Sequence, residues 1–84
     1  MGISNEEFAK GNKNFEEEIN EEIAELIFKI IIVRKKKNIS QKELAKLANL
    51  PQNTVSRIET LTTSPTLGTF IKICKALDLK VTIE

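Results

Sequence analysis

The chain has 84 residues, 40% apolar and 30% charged, with a net charge of +1, which suits one small globular domain and excludes a disordered chain. One cysteine, Cys74, and no histidine argue against an internal disulfide, a zinc site and a catalytic triad of the usual kind. The small net charge conceals a division: residues 1–28 hold eight Glu and two Lys (−6), whereas residues 29–84 hold eleven Lys or Arg and four acids (+7).

Such asymmetry points to different partners for the two parts, against the plainer reading of two solvated helix faces. The first twenty residues are acidic and lack the apolar core of a secretory signal. Gly2 invites myristoylation, but Glu6 stands where Ser or Thr is needed. The longest apolar run, Leu26 to Val33, is interrupted by Lys29 and is too short to span a bilayer. A reducing, cytoplasmic location is expected.

In chain order, "NEEFAK" has the makings of one helical turn, capped by Ser4 or Asn5. From Asn14, a second candidate cap, Phe15, Ile19, Ile23, Leu26, Ile30 and Val33 recur at steps of three and four, the period of an amphipathic helix. Glutamates in its first turn and Arg34 to Lys37 at its end complement the helix dipole, and Asn38 marks the stop. Ile23, Ile27 and Ile31 add a second apolar stripe. Either this is simply a central helix, or one stripe covers the core and the other meets a partner.

Ser40 and Glu43 form a capping box that opens the next helix, with Leu44, Ala45, Leu47 and Ala48 as its apolar positions. Leu50 and Pro51 break the chain. A third helix from Gln52 to about Thr60 turns Val55, Ile58 and Leu61 inward. "TLTTSPT" is a loop by composition. Thr66 caps a last helix through Leu77, with Phe70, Ile71, Ile73, Cys74 and Leu77 inward, so that Cys74 serves packing. In "LKVTIE", Leu79, Val81 and Ile83 alternate with polar residues, as in a strand. The chain offers that strand no mate, so a copy across a dimer axis is its expected partner.

Two short helices at a tight turn describe a helix-turn-helix, whose second helix enters the major groove of DNA. The polar opening of the third helix then has a purpose. Gln52, Asn53, Ser56 and Arg57 share its outward side; Gln and Asn can bond adenine through two atoms, and Arg can bond guanine likewise. Thr54, Ser56 and the Ser40–Gln41 helix start offer donors to phosphate. The alternative is a polar, solvated helix face.

"ISQKELAKLANLPQNTVSRIE" resembles the Xre-type helix-turn-helix of phage repressors and their bacterial relatives, over about Leu26 to Leu77. The resemblance implies a mainly α, lambda-repressor-like fold of four to five helices with a short C-terminal strand. It implies that Gln41 clamps a phosphate, that Gln52 and Asn53 read bases, and that Ser56 and Arg57 support base or phosphate contacts. Arg34 and Glu59 match a family ion pair between the first and third helices. The acidic arm, the long first helix and "ALDLKVTIE" resemble the HigA-type antitoxins of toxin–antitoxin operons. Such antitoxins bind a RelE/HigB-like toxin, a basic ribosome-dependent mRNA nuclease, and repress their own operon as dimers.

On this reading residues 1–22 are a toxin-binding arm and lead-in helix, 23–78 the DNA-binding domain and 79–84 a dimerisation strand. Phe8, Phe15, Ile19, Ile23 and Ile27 are expected to meet the toxin, and Leu79, Val81 and Ile83 the second copy. No cofactor, metal, membrane or small-molecule substrate is expected, and no catalysis. Alternatives are a stand-alone repressor that dimerises through its first helix, or an interaction module that has lost DNA binding. Two departures bear on the last: Leu61 stands where the family has Gly, and the loop after it carries no charge.

Overall fold

A computed structural model describes the backbone of residues 5–83 and the side chains of residues 14–83. Among the described residues four helices follow in order: α1 (Asn5–Lys36), α2 (Gln41–Ala48), α3 (Gln52–Glu59) and α4 (Leu67–Ala76). The separate first turn and the Asn14 cap do not occur, because α1 runs unbroken through Gly11 and Asn14. An interior Gly costs a helix only about 1 kcal/mol relative to Ala, too little to break one this long. The helix is therefore continuous across the expected boundary between residues 22 and 23.

At 1.5 Å per residue, the 32 residues of α1 make a rod of about 48 Å, matching the 47 Å long dimension of the molecule. Helices of 8 to 10 residues cannot cover such a rod. Every residue from 14 to 22 is accordingly exposed. The other end of α1 packs on α3, while α2 packs on both α3 and α4.

The core gathers Ile27 and Ile30 of α1, Leu44, Ala45 and Ala48 of α2, Val55 and Ile58 of α3, and Ile73 with Leu77 at the end of α4. Of the two stripes on α1, the buried edge takes members of each, Ile27 and Ile30, with Ile23 and Ile31 partly covered beside them. Leu26 remains 46% exposed. Cys74 is buried, and that burial pushes its thiol above the ordinary range.

Each helix entry has a local cause. The Ser40 hydroxyl accepts the Glu43 N–H at 3.0 Å while the Glu43 carboxylate accepts the Ser40 N–H at 2.8 Å, which completes the capping box. Hydrogen bonds from Ser40, its backbone N–H foremost, hold the Glu43 carboxyl below the usual range, with a smaller pull from Lys46. Pro51 (φ −64°) leads into α3 without a side-chain cap. Thr66 caps α4 by accepting the Thr69 N–H at 3.1 Å.

All four helices leave by one device, the Schellman motif, with a left-handed residue just past the helix. Those residues are Asn38 (φ 57°), Asn49 (φ 58°), Leu61 (φ 61°) and Asp78 (φ 60°). The residue after each closes a long bond back: Ile39 to the Arg34 carbonyl (3.1 Å), Leu50 to Ala45 (2.8 Å), Thr62 to Arg57 (2.9 Å) and Leu79 to Cys74 (2.7 Å). Ile39, Leu50 and Leu79 then pack on the core. The α3 exit is the exception twice over, with Leu in the strained position and polar, exposed Thr62 after it.

The expected C-terminal strand is absent among the described residues. Leu79 is drawn into the closure of α4, Val81 is half exposed and Ile83 is 96% exposed. Alternation alone makes no strand, because extended backbone needs a neighbouring strand to bond with.

Candidate nucleic-acid interface

The surface of interest is built on α3. Val55 and Ile58 are fully buried, fixing how the helix is rotated, and this leaves Gln52, Asn53 and Arg57 exposed with Thr54 and Ser56 partly so. Steps of three and four place Asn53, Ser56 and Arg57 on one outward strip. Together they offer amide, hydroxyl and guanidinium groups at the start and along the outer side of one short helix, a suitable set for base edges and phosphates.

Behind α3 sits a buried polar network. Arg34 Nε donates to Glu59 Oε2 at 2.7 Å and Arg34 Nη2 to Glu59 Oε1 at 2.8 Å, a bidentate pair whose side chains are only 9% and 5% exposed. Arg34 Nη1 donates to the Ile39 carbonyl at 2.8 Å, and Gln41 Nε2 donates to Glu59 Oε1 at 2.8 Å. The network thus joins the end of α1, the start of α2 and the end of α3. Gln41 is partly exposed; one of its two amide hydrogens goes to Glu59, and an amide carries a second for another acceptor. Neither the Ile39 carbonyl nor the Gln41–Glu59 bond was visible in the pattern of residue types.

Beyond α3, the Thr60 hydroxyl bonds the Ser56 and Arg57 carbonyls at 3.0 and 3.2 Å and meets the Thr62 hydroxyl at 2.8 Å. The uncharged loop therefore spends hydroxyls on its own helix end. Exposed cations lie nearby in sequence at Lys35, Lys36, Lys37, Lys42 and Lys46.

The other expected site residues scatter. Phe8 lies outside the described side chains. Phe15 (45%) and Ile19 (41%) stand exposed on the projecting part of α1, while Ile23 is partly buried and Ile27, 1% exposed, belongs to the core. Ile27 therefore cannot meet a partner unless the fold opens. Among the described residues, no helix is long and apolar enough to cross a membrane.

A short polar-fronted helix set on a second helix by a tight turn, with an ion-pair network behind it, defines a DNA-binding helix-turn-helix domain of the lambda-repressor-like kind. The chain belongs to the Helix-turn-helix family, whose pattern matches residues 30–83. The match begins inside α1, so most of the projecting rod lies outside it. Neither a curated relative nor a solved structure gave a match to the chain. The matched family is a DNA-binding regulatory domain.

Proposed function

We propose that this chain is a cytoplasmic antitoxin of a type II toxin–antitoxin system, which neutralises a RelE/HigB-like mRNA-cleaving toxin and represses its own operon as a dimer on operator DNA. The observation that carries this reading is α1, an acidic rod that leaves the DNA-binding body with residues 14–22 all exposed. A repressor needs no such extension to bind DNA. A segment of −6 bearing exposed Phe15 and Ile19 suits a basic protein partner.

On DNA, two copies of α3 spaced by roughly 34 Å read successive major grooves. Gln52 and Asn53 bond adenine edges, Arg57 supports base or phosphate contacts, and Gln41, Thr54 and Ser56 hold phosphates. The +7 of residues 29–84 favours the approach to the duplex. The Leu79–Ile83 tail remains a proposed contact between copies on this reading. A stand-alone repressor is the second reading, favoured by exposed Leu26 on the body end of α1.

Deleting residues 1–22 tests the assignment, since it removes the exposed rod and leaves the matched domain. The shortened chain should still shift its promoter DNA but no longer rescue cells from the toxin encoded beside it. Continued rescue sinks the arm as the toxin site. For the DNA face, Gln52→Ala and Arg57→Ala should each lose about 1–3 kcal/mol of discrimination at particular base pairs. A gel-shift titration over operator variants that shows no change for either removes that assignment.

A further inference from the structure

One side of α1 is left uncovered by the described residues. Ile19 and Leu26 are exposed and seven residues apart, and Val33 follows after seven more, so the three lie on one ribbon along the rod. The ribbon opens onto an apolar groove of about 530 Å³ lined by Leu26, Ile30, Val33, Phe70, Leu79 and Val81, with Lys29 and Lys80 at its side.

A charged ribbon runs beside the apolar one. Glu18, Glu22, Glu25, Lys29 and Lys36 follow at steps of four, three, four and seven, and all are exposed. Acids hold its first half and lysines its second. None of the five makes an ion pair among the described residues.

We infer that two copies of this chain pair along α1 in antiparallel orientation, each offering Ile19 and Leu26 to the groove of the other. Charge selects both the occupant and its direction. About a two-fold axis near Leu26, antiparallel rods bring the same edge of each helix together with its halves exchanged. Glu22 then faces the second copy's Lys29, and Glu18 faces its Lys36. Parallel rods set this ribbon instead against the opposite edge of the second helix, where Ile23, Ile27 and Ile30 turn to the core and no lysine answers the glutamates. A basic partner answers the glutamates but repels the lysines, so a second copy complements the whole ribbon best. The inference does not rest on the antitoxin reading, and because Leu79 and Val81 of the tail line the same groove, the pairing along α1 and a contact at the tail belong to one interface. Because Ile19 serves both, a toxin and a second copy compete for it.

Sedimentation equilibrium of the full chain tests this with Glu22→Lys, Lys29→Glu and the double variant, all at exposed sites that leave the fold intact by circular dichroism. The wild type should be a dimer, each single reversal should weaken it by roughly tenfold, and the double reversal should restore most of the loss. A wild-type monomer, singles that match the wild type, or a double no tighter than its singles overturns the pairing. Orientation is read by oxidation. A chain with both Glu22→Cys and Lys29→Cys should form a covalent dimer, while Glu22→Cys alone should not; ready cross-linking of that single variant overturns the antiparallel arrangement. DNA shifts and toxin rescue are separate readouts, so failure here is distinguishable from failure of the antitoxin reading.

Discussion

Leu61 holds the left-handed conformation with φ 61° at the exit of α3, where the other three helices use Asn or Asp. A residue with a Cβ loses about 1–2 kcal/mol there, because the Cβ crowds the carbonyl oxygen; Asn recovers part of this through local hydrogen bonding. Glycine removes the clash but costs about 0.5–1 kcal/mol in backbone freedom. Leu61 is 46% exposed, so truncation forfeits only part of its apolar burial. Both Leu61→Gly and Leu61→Asn should therefore be more stable than Leu61→Ala, which forfeits the same packing, by about 0.5–1 kcal/mol. In a domain of this size each kcal/mol moves Tm by about 4–8 °C, so the shift is measurable by thermal melts followed by circular dichroism. Leu61→Ala is the decisive control, since it keeps the Cβ and loses the same packing. If Leu61→Ala is as stable as Leu61→Gly and Leu61→Asn, strain at this position is not the cause.

Other consequences can be checked with the same melts or with urea. Arg34→Ala should leave Glu59 buried without its charge partner and cost about 3–5 kcal/mol, whereas replacing both by apolar residues of similar volume should recover much of that loss; equal losses in the two variants would falsify the pairing argument. The Glu43 carboxyl is held below its ordinary value, so its contribution is present above the unfolded value near 4.5 and is lost as pH falls through the folded one. Glu43→Gln should flatten the acid limb of the stability–pH curve, and an unchanged limb rejects the cap as its source. Ile27→Ala should cost about 2–5 kcal/mol as a core truncation, while Ile19→Ala, at dilution low enough to keep the chain monomeric, should stay within about 0.5 kcal/mol.

Local chemistry was legible where one segment decides it. The Ser40–Glu43 box, the Pro51 break and the Thr66 cap all concern atoms within four residues, and the structure forms each of them. The polar front of α3 was equally plain, since Val55 and Ile58 alone fix which side is turned inward. Errors arose where distant contacts choose. Gly11 and Asn14 look like punctuation, yet a long helix carries them; the tail alternates like a strand, yet the closure of α4 takes the Leu79 N–H.

What the sequence by itself determined is α2, α3 and α4, the Ser40 and Thr66 caps and the split of charge, because propensity, capping and charge are properties of neighbouring residues. Only the tertiary structure decided that Ile27 and Ile30 share the core while Ile19 and Leu26 face outward. A helix with apolar residues around most of its girth has no preferred side until α3 packs against it. The same packing brought Gln41, 18 residues away in the chain, to the Arg34–Glu59 pair, and burial of that pair depends on where three helix ends meet rather than on any one of them.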